Sequence, residues 1–182
     1  MTVFVTSDHH FGHKNILHYC ARPFKDVHHM DECLIELWNV NVKPEDAVFN
    51  LGDVCLGKGY YVEERLKKLN GRQCLIVGNH DQKSVQELSV WSKVVPVFHW
   101  ERKGRIIHMR HLPWTVEDAM GIENGFDYEK HVYLSGHTHG QYGPVHFNGV
   151  KQVDVGVDCW QYQPIPIDTA IEAFDSYIPP YF

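Results

Sequence analysis

Five short apolar runs, each breaking off into a cluster of Asp, His, Asn and Gly, constrain this chain more than any other feature. Val3-Phe4-Val5 leads to Ser7-Asp8-His9-His10, and Ala47 to Leu51 leads to Gly52-Asp53. Cys74 to Val77 leads to Gly78-Asn79-His80-Asp81. Ile106 to Met109 leads to Arg110-His111, and Val132-Tyr133-Leu134 to Ser135-Gly136-His137-Thr138-His139. Continuous apolar runs of this length, bounded by Gly and polar residues, predict buried strands. Met30 to Val40 places Leu34, Leu37 and Trp38 on one helical face, with Asp31 and Glu32 expected in the first turn. Glu63 to Leu69 predicts a shorter helix stopped by Asn70-Gly71. Alternation of strand and helix predicts βαβ units in the N-terminal half. Beyond Val94 strands predominate, with one expected over Gln152 to Val157 and an amphipathic segment over Asp168 to Phe174. Ile178-Pro179-Pro180 is expected to end regular structure.

The 182 residues are expected to form a single domain, 1–182, without repeats or linkers. With 43% apolar and 22% charged residues, the composition is that of a folded globular chain. A net charge of −6 argues against a broad basic face, so nucleic acid is an unfavoured partner. Bound dications would still let such a chain take an anionic substrate. Cys20, Cys33, Cys55, Cys74 and Cys159 form no C-x-x-C pair, and no apolar run approaches a membrane span. A reduced, cytoplasmic setting without membrane contact is the expectation.

In α/β sheets, ligands bind beyond the carboxyl ends of the strands. All five polar clusters fall at that end, which selects among the 14 histidines. Asp8 and His10 are two apart, as are His137 and His139; in an extended or tightly looped segment such pairs share a side. Carboxylate, imidazole and amide donors together suit Mn²⁺, Zn²⁺ or Fe, with Ni²⁺ or Mg²⁺ as further candidates.

In order and spacing these clusters resemble the calcineurin-like metallophosphoesterase superfamily: D-x-H, G-D, G-N-H-D/E, H and G-H-x-H. They stand here as Asp8-His9-His10, Gly52-Asp53, Gly78-Asn79-His80-Asp81, His111 and Gly136-His137-Thr138-His139. Val155-Gly156-Val157-Asp158 is similar to the closing strand of small members. The resemblance implies a two-sheet α-β-β-α sandwich with its active site at the carboxyl ends of the strands. It implies one metal on Asp8, His10, Asp53 and His139, and a second on Asp53, Asn79, His111 and His137. Asp53 would bridge two dications, Mn²⁺ foremost, roughly 3.5–4 Å apart. The implied reaction is phosphoester hydrolysis by in-line attack of a metal-bridging hydroxide, with His80 assisting the leaving group and Asp81 as its partner. Choosing His10 over His9 rests on the D-x-H spacing alone.

Protein Ser/Thr phosphatases of the superfamily carry an Asp three residues after the bridging one. Leu56 stands there, so a protein phosphatase is not the favoured reading. No stretch between the motifs is long enough for a cap domain, so an open cleft and a small phosphodiester or nucleotide-type substrate are expected, with diesterase and monoesterase activity not separable by these motifs. His13 is a candidate phosphate contact at a helix start, with Lys14 read as solvated. Arg22 is either a substrate contact or an ordinary loop residue, and Trp114 and Tyr142 are candidates for the cleft. His28 and His29 read as capping or surface residues, His108 as a strand residue, and His99, His131 and His146 as structural or exposed. Trp38, Trp91 and Trp160 read as packing. A metal-dependent nuclease and a non-catalytic scaffold on the same fold are the alternatives. No oligomeric state is indicated.

Overall fold

The computed structural model describes residues 1–56 and 59–178, so Pro179 and Pro180 lie outside the described residues. The first sheet holds β1 (Val3–Thr6), β2 (Ala47–Asn50), β3 (Arg72–Ile76), β4 (Trp91–Val95) and β10 (Ile165–Pro166), in the order β10-β1-β2-β3-β4. β1 through β4 run parallel, and β10 closes the edge antiparallel to β1. The second sheet has the order β5-β6-β7-β9-β8, from β5 (Val97–Arg102), β6 (Arg105–Arg110), β7 (His131–Ser135), β8 (Val145–Phe147) and β9 (Lys151–Asp154). β6, β7 and β9 are parallel and the two outer strands antiparallel.

Period-2 alternation explains why the central runs are apolar throughout. Phe4, Val48 and Leu75 face one core, while their neighbours Val5, Phe49 and Ile76 face another. The first core is closed by α2 (Val27–Asn41) and α3 (Gly59–Leu66). The second joins the two sheets through Ile107, Met109, Val132 and Leu134, and α6 (Ile167–Ser176) adds Ala170 and Phe174. A smaller cluster of Trp114, Tyr133, Ala119 and Val150 lies under α5 (Val116–Met120) on the outer face of the second sheet. This is the α-β-β-α arrangement expected from the sequence. The short α1 (Ile16–Tyr19) and α4 (Lys83–Gln86) follow the first and third site loops.

α2 begins earlier than its apolar spacing suggests. Asp26 caps it, accepting a hydrogen bond from the His29 N–H at 2.8 Å. Asp31 therefore sits beyond the first turn, buried, taking the Gly12 N–H at 3.0 Å and Arg65 Nε at 2.6 Å. That contact ties the loop after β1 to two helices. Met30, Leu34 and Trp38 form the buried stripe, and Trp38 also donates through Nε1 to the Asn70 carbonyl at 2.9 Å. Trp38→Ala is expected to cost about 3–5 kcal/mol in urea unfolding, through lost burial, a cavity and an unpaired carbonyl.

The closing segment differs from its sequence reading. β9 ends at Asp154; Gly156 then makes a single parallel bridge to Ser7, and Val157–Cys159 turn as a 3-10 helix. A side chain at position 156 would press on Asp8 Oδ2 and Asp154 Oδ1, so the strand yields to the site beside it.

Candidate metal centre

The loops after β1, β2, β3, β6 and β7 converge at one edge of the two sheets. Asp8, His10 and His139 bring ligand atoms within 4.8 Å of one another, and so do Asp53, His111 and His137. Asp53 Oδ2 lies between the groups, 3.7 Å from His10 Nε2 and 3.3 Å from His111 Nε2. Asn79 Oδ1 is 2.9 Å from His111 Nε2.

Each carboxylate divides its oxygens between scaffold and site. Asp8 Oδ2 accepts the His137 N–H at 2.9 Å and the Ser7 hydroxyl, while its Oδ1 is buried with no partner. Asp53 Oδ1 accepts the His80 N–H at 2.9 Å, leaving Oδ2 to the imidazoles. The histidines follow the same logic. His111 Nδ1 meets the Leu51 carbonyl at 2.8 Å, and a carbonyl only accepts, so Nδ1 carries a proton and Nε2 is the atom turned to the site, towards Asn79 Oδ1 and Asp53 Oδ2. His10 Nε2 is buried without a partner. Burying such atoms unpaired costs about 1–3 kcal/mol each. A cation between Asp8 Oδ1 and His10 Nε2 would satisfy both, so the residues present fit a metal.

Backbone conformation points the same way. Asp8, His10, Asp53, His137 and His139 have φ of 61, 53, 51, 72 and 49°, in the left-handed region. Asp and His tolerate it better than most residues, but it still costs about 1 kcal/mol or more each and persists where surroundings enforce it. Gly52 and Gly78 allow the enforcement: a Cβ on Gly78 would lie 2.3 Å from Asp53 N and Oδ1, and one on Gly52 2.3 Å from Gly78 N.

The buried charges are strongly coupled. Burial raises Asp8 to about 6 despite nearby imidazoles, whereas hydrogen bonds and the charge of His111 outweigh burial at Asp53 and bring it to about 2. Burial takes His10 down to about 2, so it presents a neutral ring. His139 rises to about 10, because Asp158 and Asp8 overcome its burial. Carboxylates here draw positive charge inward.

No family model matches the sequence. An uncharacterized protein of Methanocaldococcus jannaschii is 30% identical over 176 residues, spanning 96% of this chain and 92% of that one. The gene 66 protein of Mycobacterium phage D29 is 28% identical over 195 residues, spanning 93% and 94%. Among solved structures, a protein of unknown function from Aquifex aeolicus superposes with a TM-score of 0.73 at 23% identity, covering 94% of this chain and 98% of its own. An archaeal phosphodiesterase superposes with a TM-score of 0.52 at 19% identity, covering 86% and 84%. This chain has the calcineurin-like metallophosphoesterase fold, and it belongs to one family with the Methanocaldococcus jannaschii protein.

Within this fold the residues singled out by sequence fall into distinct places. Asp8, His10, Asp53, Asn79, His111, His137 and His139 gather at the centre. His9 turns the other way, stacking on Phe11 at 5.4 Å and packing at a tilt against Trp38 at 5.3 Å. His13 borders the cleft, its Nδ1 3.3 Å from His10 Nδ1, and Lys14 is exposed. His80 also lines the cleft, 44% exposed, with Nε2 3.9 Å from Asp53 Oδ2.

Other placements depart from expectation. Asp81 does not face the His80 ring: its carboxylate accepts the backbone N–H groups of Asp53, Val54 and Gly78 at 2.9, 2.9 and 2.8 Å. An ionised carboxylate meets three donors better than one imidazole could, so Asp81 clamps two site loops together. Arg22 is buried beneath the loops with its guanidinium engaged by protein acceptors, rather than turned to the cleft. Trp114 is only 4% exposed and donates to the Leu134 carbonyl, away from the cleft, because its indole completes the outer cluster. Tyr142 is 61% exposed and borders a cavity with Pro113, Thr138, His146 and Asn148.

Two features went unread in the sequence. Asp158 reaches His139, across a separation no local pattern marks. His99, His108 and His131 form a hydrogen-bonded row across three strands at 2.8 Å spacings, visible only once β5, β6 and β7 are in register. The five cysteines are free, and no helix among the described residues is long and apolar enough to cross a membrane.

Gly78→Ala is expected to force the second and third site loops apart. It should destabilise the protein by about 1–3 kcal/mol in thermal unfolding and weaken Mn²⁺ binding by calorimetry, because Asp53 must move.

Proposed function

We propose that this chain is a dinuclear-metal phosphoesterase acting on a small phosphodiester or nucleotide-type substrate. The observation that carries this reading is Asp53 Oδ2 set between His10 Nε2 and His111 Nε2, with Asp8 grouped beside His10 and His139, and Asn79 Oδ1 beside His111. Asp8, His10, Asp53 and His139 would hold one cation, and Asp53, Asn79, His111 and His137 the other. Mn²⁺ is the favoured occupant of this mixed donor set. Bound dications would neutralise phosphoryl oxygens and lower the pKa of water.

The protein's own groups supply the rest. His80 stands at the open side of the cleft, where its ring can donate a proton to a departing alkoxide. Its backbone N–H fixes Asp53, so one residue serves both the centre and the substrate. His13 lies beside His10 and offers a second donor to phosphate. Ile16, Tyr19 and Gln141 also border this cleft, which leaves room for a compact leaving group. The acidic net charge favours small substrates over nucleic acid. An archaeal phosphodiesterase on the same fold is consistent with diester chemistry.

The test is a panel of mono- and diesters with Mn²⁺, including nucleotide esters and single- and double-stranded DNA. The proposal expects turnover of small diesters and little cleavage of DNA. Turnover of DNA alone would favour the nuclease reading, and no turnover with metal bound the scaffold reading.

A further inference from the structure

We propose that Arg22 and Asp158 are positioning residues of the metal centre: Arg22 locks the carboxylate that holds His139 in its ligating orientation. The inference rests on the reading of His139 as a ligand in the proposed function.

Arg22 meets Asp158 in a two-pronged pair, Nε to Oδ1 at 2.8 Å and Nη2 to Oδ2 at 2.7 Å. Their side chains are 0% and 6% exposed, so the pair is shielded from competing water. Asp158 Oδ2 also takes His139 Nδ1 at 2.8 Å. A carboxylate held ionised by a guanidinium can only accept, so the proton resides on Nδ1. In the neutral ring that a ligand requires, Nε2 then keeps the lone pair, and it faces Asp8 Oδ1 3.9 Å away. Carboxylate–histidine pairs of this geometry fix the tautomer and ring plane of metal ligands and raise their basicity.

The guanidinium does more than hold Asp158. Nη2 donates to the Asp8 carbonyl at 2.7 Å and Nη1 to the His9 carbonyl at 2.9 Å. Those carbonyls belong to the loop that carries Asp8 and His10 in left-handed conformations. One side chain therefore joins the loop of Asp8 and His10 directly, and His139 through Asp158, and these three ligands serve the same half of the centre. The Asn79 and His111 half has no contact with it among these bonds. Cys20 also gathers with His139 and Asp158. The guanidinium already supplies the cation at Asp158, so that group acts as support for His139.

Calorimetric titration of chelated protein with Mn²⁺ tests this. Wild type should take up two equivalents; Asp158→Ala should weaken one binding event by about 10–100-fold and leave the other unchanged. Arg22→Lys, which keeps the charge and loses the fork, should weaken the same event less. Asp158→Asn retains an acceptor oxygen and should partly restore it. Nitrogen–proton correlation spectra of the metal-free protein, followed to high pH, should find that the His139 ring keeps its Nδ1 proton as it becomes neutral in wild type and gives a mixture of tautomers in Asp158→Ala. Two wild-type-like events in Asp158→Ala, equal weakening of both, or an unchanged His139 tautomer would overturn the inference alone. Wild type that binds no Mn²⁺ would overturn the metal-centre reading and this inference with it.

Discussion

Asp53→Asn is expected to lose bound metal and phosphodiester hydrolysis together, with turnover down by at least about 100-fold. The amide can keep its oxygen on the His80 N–H, as Asp53 Oδ1 does now at 2.9 Å. Its NH₂ would then occupy the Oδ2 position and donate to the imidazoles at 3.3 and 3.7 Å, where a cation needs a charged acceptor. The variant should therefore fold, with a metal-free thermal midpoint near or modestly below wild type through the lost charge of Asp53, while elemental analysis finds it depleted. A replacement that merely unfolded the loops would lower that midpoint far more. Full metal content with full activity would remove Asp53 from its assigned role.

His80→Ala is expected to separate metal binding from catalysis. The ring is 44% exposed and touches the centre only at 3.9 Å, while the backbone N–H that holds Asp53 survives the substitution. Metal content should stay at the wild-type level. Turnover of esters with poor alkoxide leaving groups should fall by about 10²–10⁴-fold, the usual worth of a positioned general acid. A nitrophenolate departs without a proton, so such esters should lose much less. An equal loss across leaving groups would assign His80 to phosphate placement, and loss of metal would assign it to the scaffold.

The central strands of both sheets were legible because their signal is local: strands buried on both faces leave continuous apolar runs, and ligand clusters follow directly at their ends. β1, β2, β3, β6 and β7 lie where those runs predict, and Asp8, Asp53, Asn79, His111, His137 and His139 come together there. What escaped depends on partners distant in sequence. Arg22 and Asp158 are 136 residues apart, and nothing near Arg22 tells a substrate contact from a buried clamp. Asp81 looked like a partner for the adjacent His80, yet its acceptors serve backbone N–H groups, which carry no side-chain signature. His9 and His10 were separated by a spacing rule, and only the packing of His9 against Trp38 gives that choice a physical reason. Capping by Asp26 was missed because the apolar stripe of α2 starts later than the helix.

The measurement closest to the central claim is reactivation of the chelated protein. Metal-free protein should hydrolyse a small phosphodiester at a negligible rate, and stepwise Mn²⁺ should restore activity to a plateau at two equivalents per chain. A metal-free protein that retains its full rate, or a plateau reached at one equivalent, would contradict the dinuclear centre.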